Sequence, residues 1–96
     1  MILWVMYDIV DDKARGRVAK YCKQAGLMRV QYSVFVGSIE PSRRDELELK
    51  IEAVIDEDKD KVYVFPMSRK ELKAVRLMGQ AFDERLLVDE VRALFF

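Results

Sequence analysis

The sequence predicts an α+β domain of element order β-α-β-β-α-β, on three observations. Residues 2–10 form a β-branched and aromatic run broken only by Asp8. Two segments, 11–25 and 41–55, carry apolar residues at helical spacing, each behind an N-terminal signal. Two further stretches, 27–39 and 62–65, are short and rich in Val, Tyr and Phe, as strands are.

The first strand is apolar on both faces, as a central strand covered on both sides would be. Its period of two places Trp4, Met6 and Asp8 on one face and Leu3, Val5, Tyr7 and Ile9 on the other. Asp11 and Asp12 are candidate N-caps for a helix reaching Ala25, with Ala14, Val18, Cys22 and Ala25 as its apolar stripe and Gly26 as its terminator. Segment 27–39 reads as two strands with a tight reversal near Gln31 to Ser33, although no Asn-Gly or Gly-Gly marks the turn. Gly37 suggests a bulge or a strand end. Pro41 suits the first position of a second helix, whose buried stripe is Leu47, Ile51, Val54 and Ile55. The acidic turn 56–60 leads to a strand from Val62 to Phe65, which Pro66 should end.

This order is the ferredoxin-like one, an antiparallel sheet with both helices on one face. Residues 1–67 would form that core. Residues 68–96 would be a C-terminal extension, including a strand, that packs on its own domain or across a dimer partner. Ser68 and Glu71 have capping-box spacing at its start, and the apolar Ala93-Leu94-Phe95-Phe96 at its end calls for burial. A domain of 96 residues has a modest core, and a sheet face carrying Trp4 and Met6 invites a covering partner.

Composition excludes several kinds of chemistry. The chain has no histidine and a single cysteine, Cys22, so His-dependent triads, His-ligated metals, Cys-based zinc sites and intrachain disulfides all fall away. Any catalysis would rest on carboxylates, a hard cation, or Ser, Tyr and Lys. Ser33 has no histidine to activate it. The N-terminal apolar run is too short for a membrane span or a secretion signal, so a cytoplasmic protein with no membrane partner is expected.

Seventeen basic residues balance seventeen acidic ones, yet between Lys13 and Ser38 there are basic residues and no acidic one. Lys13, Arg17 and Lys20 line one helix face, with Arg15 and Arg29 nearby, and Arg43 and Arg44 open the second helix. Such a stripe is ordinarily a solvated helix face. Its lack of acids makes it a candidate phosphate-contacting surface. Asp8 is ordinarily a strand-end capping residue. Alternatively it is a ligand for Mg²⁺, with Mn²⁺ as a substitute, once a twofold axis brings a second copy beside it. Asp11 and Asp12 could extend that acidic cluster, although capping is their ordinary role. Tyr7, Tyr32 and Phe35 are candidates for base stacking, although strand aromatics are ordinarily core.

The blocks Tyr7-Asp8-Ile9, Asp11-Asp12-Lys13, Arg17-Val18-Ala19-Lys20, Gly26-Leu27 and Arg29-Val30-Gln31-Tyr32-Ser33-Val34-Phe35, with Ile55–Asp60 and a strand ending at Pro66, together resemble the CRISPR-associated protein two family. The resemblance covers residues 1 to about 67 and is specific through the pairing of the early Tyr-Asp-Ile with the Arg-Val-Gln-Tyr-Ser-Val-Phe block. It implies a ferredoxin-like homodimer whose C-terminal strand pairs with the partner. It implies Asp8 from each chain as metal ligand and catalytic residue in the cleft, and Mg²⁺-dependent endonuclease activity on single-stranded RNA or double-stranded DNA. It also implies a central place in a complex with the CRISPR integrase that acquires spacers. Under it Lys13, Arg15, Arg17, Lys20 and Arg29 become candidates for contacting nucleic acid. Two other readings stand beside this one: a non-catalytic DNA-binding adaptor that does not need Asp8, and a ferredoxin-like ligand-sensing domain.

Overall fold

A computed structural model describes residues 1–83 and 89–95. Four antiparallel strands form one sheet in the order β2-β3-β1-β4, with β1 at Ile2–Asp8, β2 at Met28–Gln31, β3 at Val34–Ser38 and β4 at Lys61–Met67. Helices α1 (Asp12–Gln24) and α2 (Pro41–Val54) cover one face. This is the α+β, ferredoxin-like arrangement expected from the element order.

Central β1 explains its own sequence, because both of its faces are buried. Leu3, Val5, Tyr7 and Ile9 pack with Ala14, Val18 and Cys22 of α1 and Leu47 and Ile51 of α2. Ile2 and Trp4 belong to a second core on the opposite face. Asp11 caps α1, its Oδ2 accepting from the Ala14 N–H at 2.8 Å, and Gly26 follows the helix at φ 91°, where a side chain would be strained. The reversal between β2 and β3 falls at Tyr32 and Ser33, and a register shift between Arg29 and Gln31 adjusts the ladder just before it.

Three features depart from expectation. Pro66 does not end the last strand: β4 continues through it to Met67, because β4 is an edge strand where a missing N–H can face outward. Gly37 is neither bulge nor strand end. It lies inside β3, where a Cβ would come within 3.1 Å of the Leu27 side chain and 3.2 Å of the Gly26 carbonyl oxygen.

The third departure concerns the C-terminal extension, which contains no strand among its described residues. Ser68 and Glu71 close a reciprocal capping box that starts the short α3 (Arg69–Lys73), and α4 spans Asp89–Phe95. Leu72 and Val91 are buried with Ile2, Trp4, Val30 and Val36, and Val75, Phe82, Leu94 and Phe95 pack around them. Trp4 meets Phe95 edge-on with ring centroids 5.6 Å apart. The tail thus folds onto the sheet face that lacks α1 and α2, since burial of these apolar groups favours whatever cover is nearest. Phe96, part of the apolar C-terminal run, lies outside the described residues.

Candidate nucleic-acid and metal site

The tail closes only part of its sheet face. At the other end of that face, along β1 and β4, Met6 is half-buried, Tyr63 and Phe65 are exposed, and Asp8 and Lys61 are exposed at the final rung of the ladder. The rings of Tyr63 and Phe65 stack, with centroids 6.3 Å apart and planes 8° from parallel. An apolar groove lined by Trp4, Met6, Phe65, Met67, Val75 and Leu77 runs between this open end and the tail.

Asp8 sits where β1 runs out of cover. Its neighbours Tyr7 and Ile9 point into the helix-side core, so alternation turns the carboxylate to the opposite side, into solvent. Its side chain has no hydrogen bond or ion pair among the described residues, even though Lys61 lies opposite it in the ladder. The following turn is held rigidly. Asp60 accepts from the Val10 N–H at 2.9 Å and from the Asp56 N–H at 2.8 Å. Those two bonds stabilise the carboxylate and hold the Asp60 pKa below its ordinary value.

The two other early acids are already engaged. Asp11 is spent on the helix cap, and Asp12 pairs with Arg15 one turn along. No group of three metal-ligating side chains exists among the described residues of one chain. Of the three acids at the end of β1 and the start of α1, Asp8 alone is free as a hard-oxygen donor among the described residues. A Mg²⁺ ion prefers an octahedral oxygen set that retains several waters, and a second carboxylate from a twofold-related chain would make Asp8 a plausible ligand.

The basic residues divide into three groups. Lys13, Arg17 and Lys20 are exposed along one side of α1 and have no ion-pair partner among the described residues. Arg15 is partly committed, its Nη1 donating to the Ile9 carbonyl at 3.0 Å and its Nη2 pairing with Asp12. Arg29 stands apart from the stripe. It pairs with Phe35 across the β2–β3 ladder, is half-buried, and holds its guanidinium 5.1 Å from the centre of the Phe35 ring.

Tyr7 stacks on the other partner of that guanidinium, its ring centroid 6.3 Å from that of Phe35 and 19° from parallel. Burial raises the Tyr7 pKa, and the nearby Arg29 opposes the shift. Neither the Tyr7 hydroxyl nor Arg29 Nε meets hydrogen-bond geometry with a partner among the described residues, so the guanidinium acts on the phenol through proximity. Burial pushes the Cys22 thiol up to about 12, which leaves it protonated and unreactive at neutral pH.

Of the three candidate stacking residues, Tyr7 and Phe35 are therefore core, and Tyr32 alone is exposed. Two residues at this end of the sheet, Lys61 beside Asp8 and Tyr32 in the turn, acquire their places only through strand register. Nothing local in the sequence marks Lys61.

The chain is thus a small ferredoxin-like domain with a carboxylate, unpartnered among the described residues, at the end of its central strand and a row of exposed cations along α1. The family model for CRISPR associated protein Cas2 matches residues 1–75, and the chain belongs to that family. The CRISPR-associated endoribonuclease Cas2 of Desulforudis audaxviator is 42% identical over 69 residues, which are 72% of this chain and 65% of that protein. The alignment thus spans a little under two thirds of that relative. CRISPR-associated endoribonuclease Cas2 1 of Archaeoglobus fulgidus is 37% identical over 70 residues, covering 73% of this chain and 74% of that one. Among solved structures, Cas2 of Streptococcus pyogenes superposes with a TM-score of 0.70 at 28% identity, covering 82% of this chain and all of that one. No helix among the described residues is long and apolar enough to cross a membrane.

Proposed function

We propose that this chain is a Mg²⁺-dependent endoribonuclease of CRISPR adaptation, acting as a cytoplasmic homodimer on single-stranded RNA. The observation that carries this reading is Asp8: an exposed carboxylate at the open end of the sheet, free of hydrogen bonds and ion pairs among the described residues. The relatives are endoribonucleases by name, which supports the substrate class. A second copy docks on the open end of the sheet face, against Met6, Tyr63 and Phe65. The Asp8 side chains of the two copies would together hold a Mg²⁺ ion, with Mn²⁺ as an alternative.

A Mg²⁺ ion held there would supply Lewis-acid activation of a phosphoryl oxygen and of an attacking water. The chain's own residues do the rest. Asp8 fixes the ion, Lys61 beside it offers a cation to the phosphate, and Lys13, Arg17 and Lys20 hold the flanking backbone. With no histidine in the chain, a buried Tyr7 and a protonated Cys22, no side chain at the site is poised as a strong general base. The reading therefore anticipates slow turnover.

The unpaired stripe Lys13, Arg17 and Lys20 also favours a second reading, in which the dimer binds double-stranded DNA by its backbone and scaffolds the CRISPR integrase during spacer acquisition. That reading needs the stripe and not the carboxylate. One experiment separates the two: Asp8→Asn is compared with neutralisation of the stripe in a cleavage assay on single-stranded RNA and a spacer-acquisition assay. Loss of RNA cleavage in Asp8→Asn supports the nuclease. Acquisition that survives Asp8→Asn and fails without the stripe supports the adaptor.

A further inference from the structure

We propose that Tyr32 is a base-stacking platform for single-stranded RNA, holding an unpaired base next to the phosphodiester that lies at Asp8. The inference rests on the endoribonuclease reading and adds the feature by which the site would prefer unpaired over paired substrate.

The argument begins with register. In the β1–β3 ladder Met6 pairs with Val34, and the Tyr7 N–H donates to the Ser33 carbonyl at 3.1 Å. The ladder ends there, and Tyr32, in the β2–β3 turn one residue before Ser33, lies at the same end of the sheet as Asp8. On the other side of β1, Asp8 pairs with Lys61. One end of the sheet thus carries an aromatic ring in the β2–β3 turn and, on the last β1–β4 rung, a carboxylate beside a cation.

Tyr32 is 79% exposed, against 6% for Tyr7 and none for Phe35. An aromatic ring so exposed contributes little to the fold, and it is the one of the three that a ligand can reach. The turn that carries it is nonetheless tethered. The Ser33 carbonyl is held by β1, the Asp83 N–H donates to the Val30 carbonyl at 2.8 Å, and the Gln31 side-chain amide donates to the Gln80 carbonyl. A ring on a fixed turn loses less freedom on binding than one on a loose loop.

Stacking on an aromatic ring suits any base, because every base has a π-face, and it requires that the base be unpaired and turned out. A duplex keeps its bases inside the helix and presents only backbone to such a ring. Tyr32 would then help single strands and leave duplex binding, which runs through the α1 stripe, unchanged.

The test uses the full chain with Tyr32→Ala and Tyr32→Phe, and short fluorescent oligoribonucleotides in single-stranded and duplex form. Tyr32→Ala is expected to weaken single-strand binding about tenfold, the scale of one lost base stack, and to leave duplex binding unchanged. Tyr32→Phe, which keeps the ring, should bind as the wild type does. A 2-aminopurine placed in the single strand should be quenched by the wild type and by Tyr32→Phe, and not by Tyr32→Ala. If Tyr32→Ala binds single strands at full strength while Asp8→Asn abolishes cleavage, the platform is wrong and the nuclease stands. If the wild type binds no RNA of either form, both fall.

Discussion

Asp8 and Lys61 face each other at the last rung of the β1–β4 ladder, yet they form no ion pair. An exposed pair of this kind would contribute little to stability even if closed. Left open, it presents one anionic and one cationic group side by side at the end of the sheet. Asp8→Asn should therefore leave the melting temperature essentially unchanged, within about 0.5 kcal/mol, because no structural bond is lost. The same substitution should reduce Mg²⁺-dependent RNA cleavage at least ~100-fold, the scale of losing a metal ligand. Undiminished cleavage by highly purified Asp8→Asn protein would remove Asp8 from the site.

Changing Lys13, Arg17 and Lys20 together to glutamine should weaken nucleic-acid binding and flatten its salt dependence. Each lost phosphate contact takes about 0.7 from the log–log slope on single strands and about 0.9 on duplex DNA. The triple variant should lose a slope of roughly two to three by titration between low and moderate salt. A slope equal to that of the wild type would show that the stripe is only a solvated helix face.

Arg29 has a different expectation, because its guanidinium lies over Phe35 and beside the Tyr7 phenol. Arg29→Ala should destabilise the fold by about 1–2 kcal/mol through the lost cation–π contact and packing. Arg29→Lys should recover only part of that, since an ammonium lacks the flat face that lies on the ring. Urea unfolding of the two variants decides the matter. Equal stability of Arg29→Ala and wild type would mean that the guanidinium is not seated in the fold.

Trp4 is the only tryptophan, and it lies beneath the tail against Phe82 and Phe95. Val91→Asp would place an unpaired charge in that layer and should lift α4 from the sheet. Tryptophan emission should shift to the red while far-UV circular dichroism keeps its strand signal, because the helix-side core does not contain Val91. Unchanged emission would show that the tail does not cover Trp4.

Asp60 ties the turn after β1 to the turn before β4, and its pKa lies below the ordinary carboxylate value. A depressed folded-state pKa contributes stability that is present above the ordinary value, near pH 4, and lost as pH falls through the folded value. The protection of the Val10 amide, its exchange relative to that of an unfolded chain at the same pH, should therefore fall in that acidic window. Asp60→Asn keeps an acceptor without a titrating proton and should flatten the acid dependence. An Asn variant with the wild-type acid profile would assign the effect to another group.

Much of this fold is written locally. The alternation in β1 assigns Trp4, Met6 and Asp8 to one face and Leu3, Val5 and Tyr7 to the other, because side-chain period is a property of the strand itself. Asp11, Gly26, Pro41, Ser68 and Glu71 mark helix ends for equally local reasons. What stayed hidden depends on neighbours distant in sequence. Pro66 ends a central strand but not an edge one, and edge status emerges only from the strand order. Arg29 reads as a basic neighbour of the α1 stripe, and its pairing with Phe35, which draws it towards the core, emerges only from the register. The tail's sequence fits a short helix or a strand near Leu72 to Leu77; its described residues form two short helices packed on the sheet, and residues 84–88 lie outside them. At the candidate site, Asp8 and the α1 cations were legible as residue types, while Lys61 and the placement of Tyr32 needed the register.

The tail's position against Ile2 and Trp4 bears on how two copies would come together. Leu72, Val91 and Phe95 of the same chain cover Ile2 and Trp4, so the homodimer proposed above would need no exchange of tails to complete this layer. Its association would then obey mass action, open to dilution, rather than being welded to the act of folding.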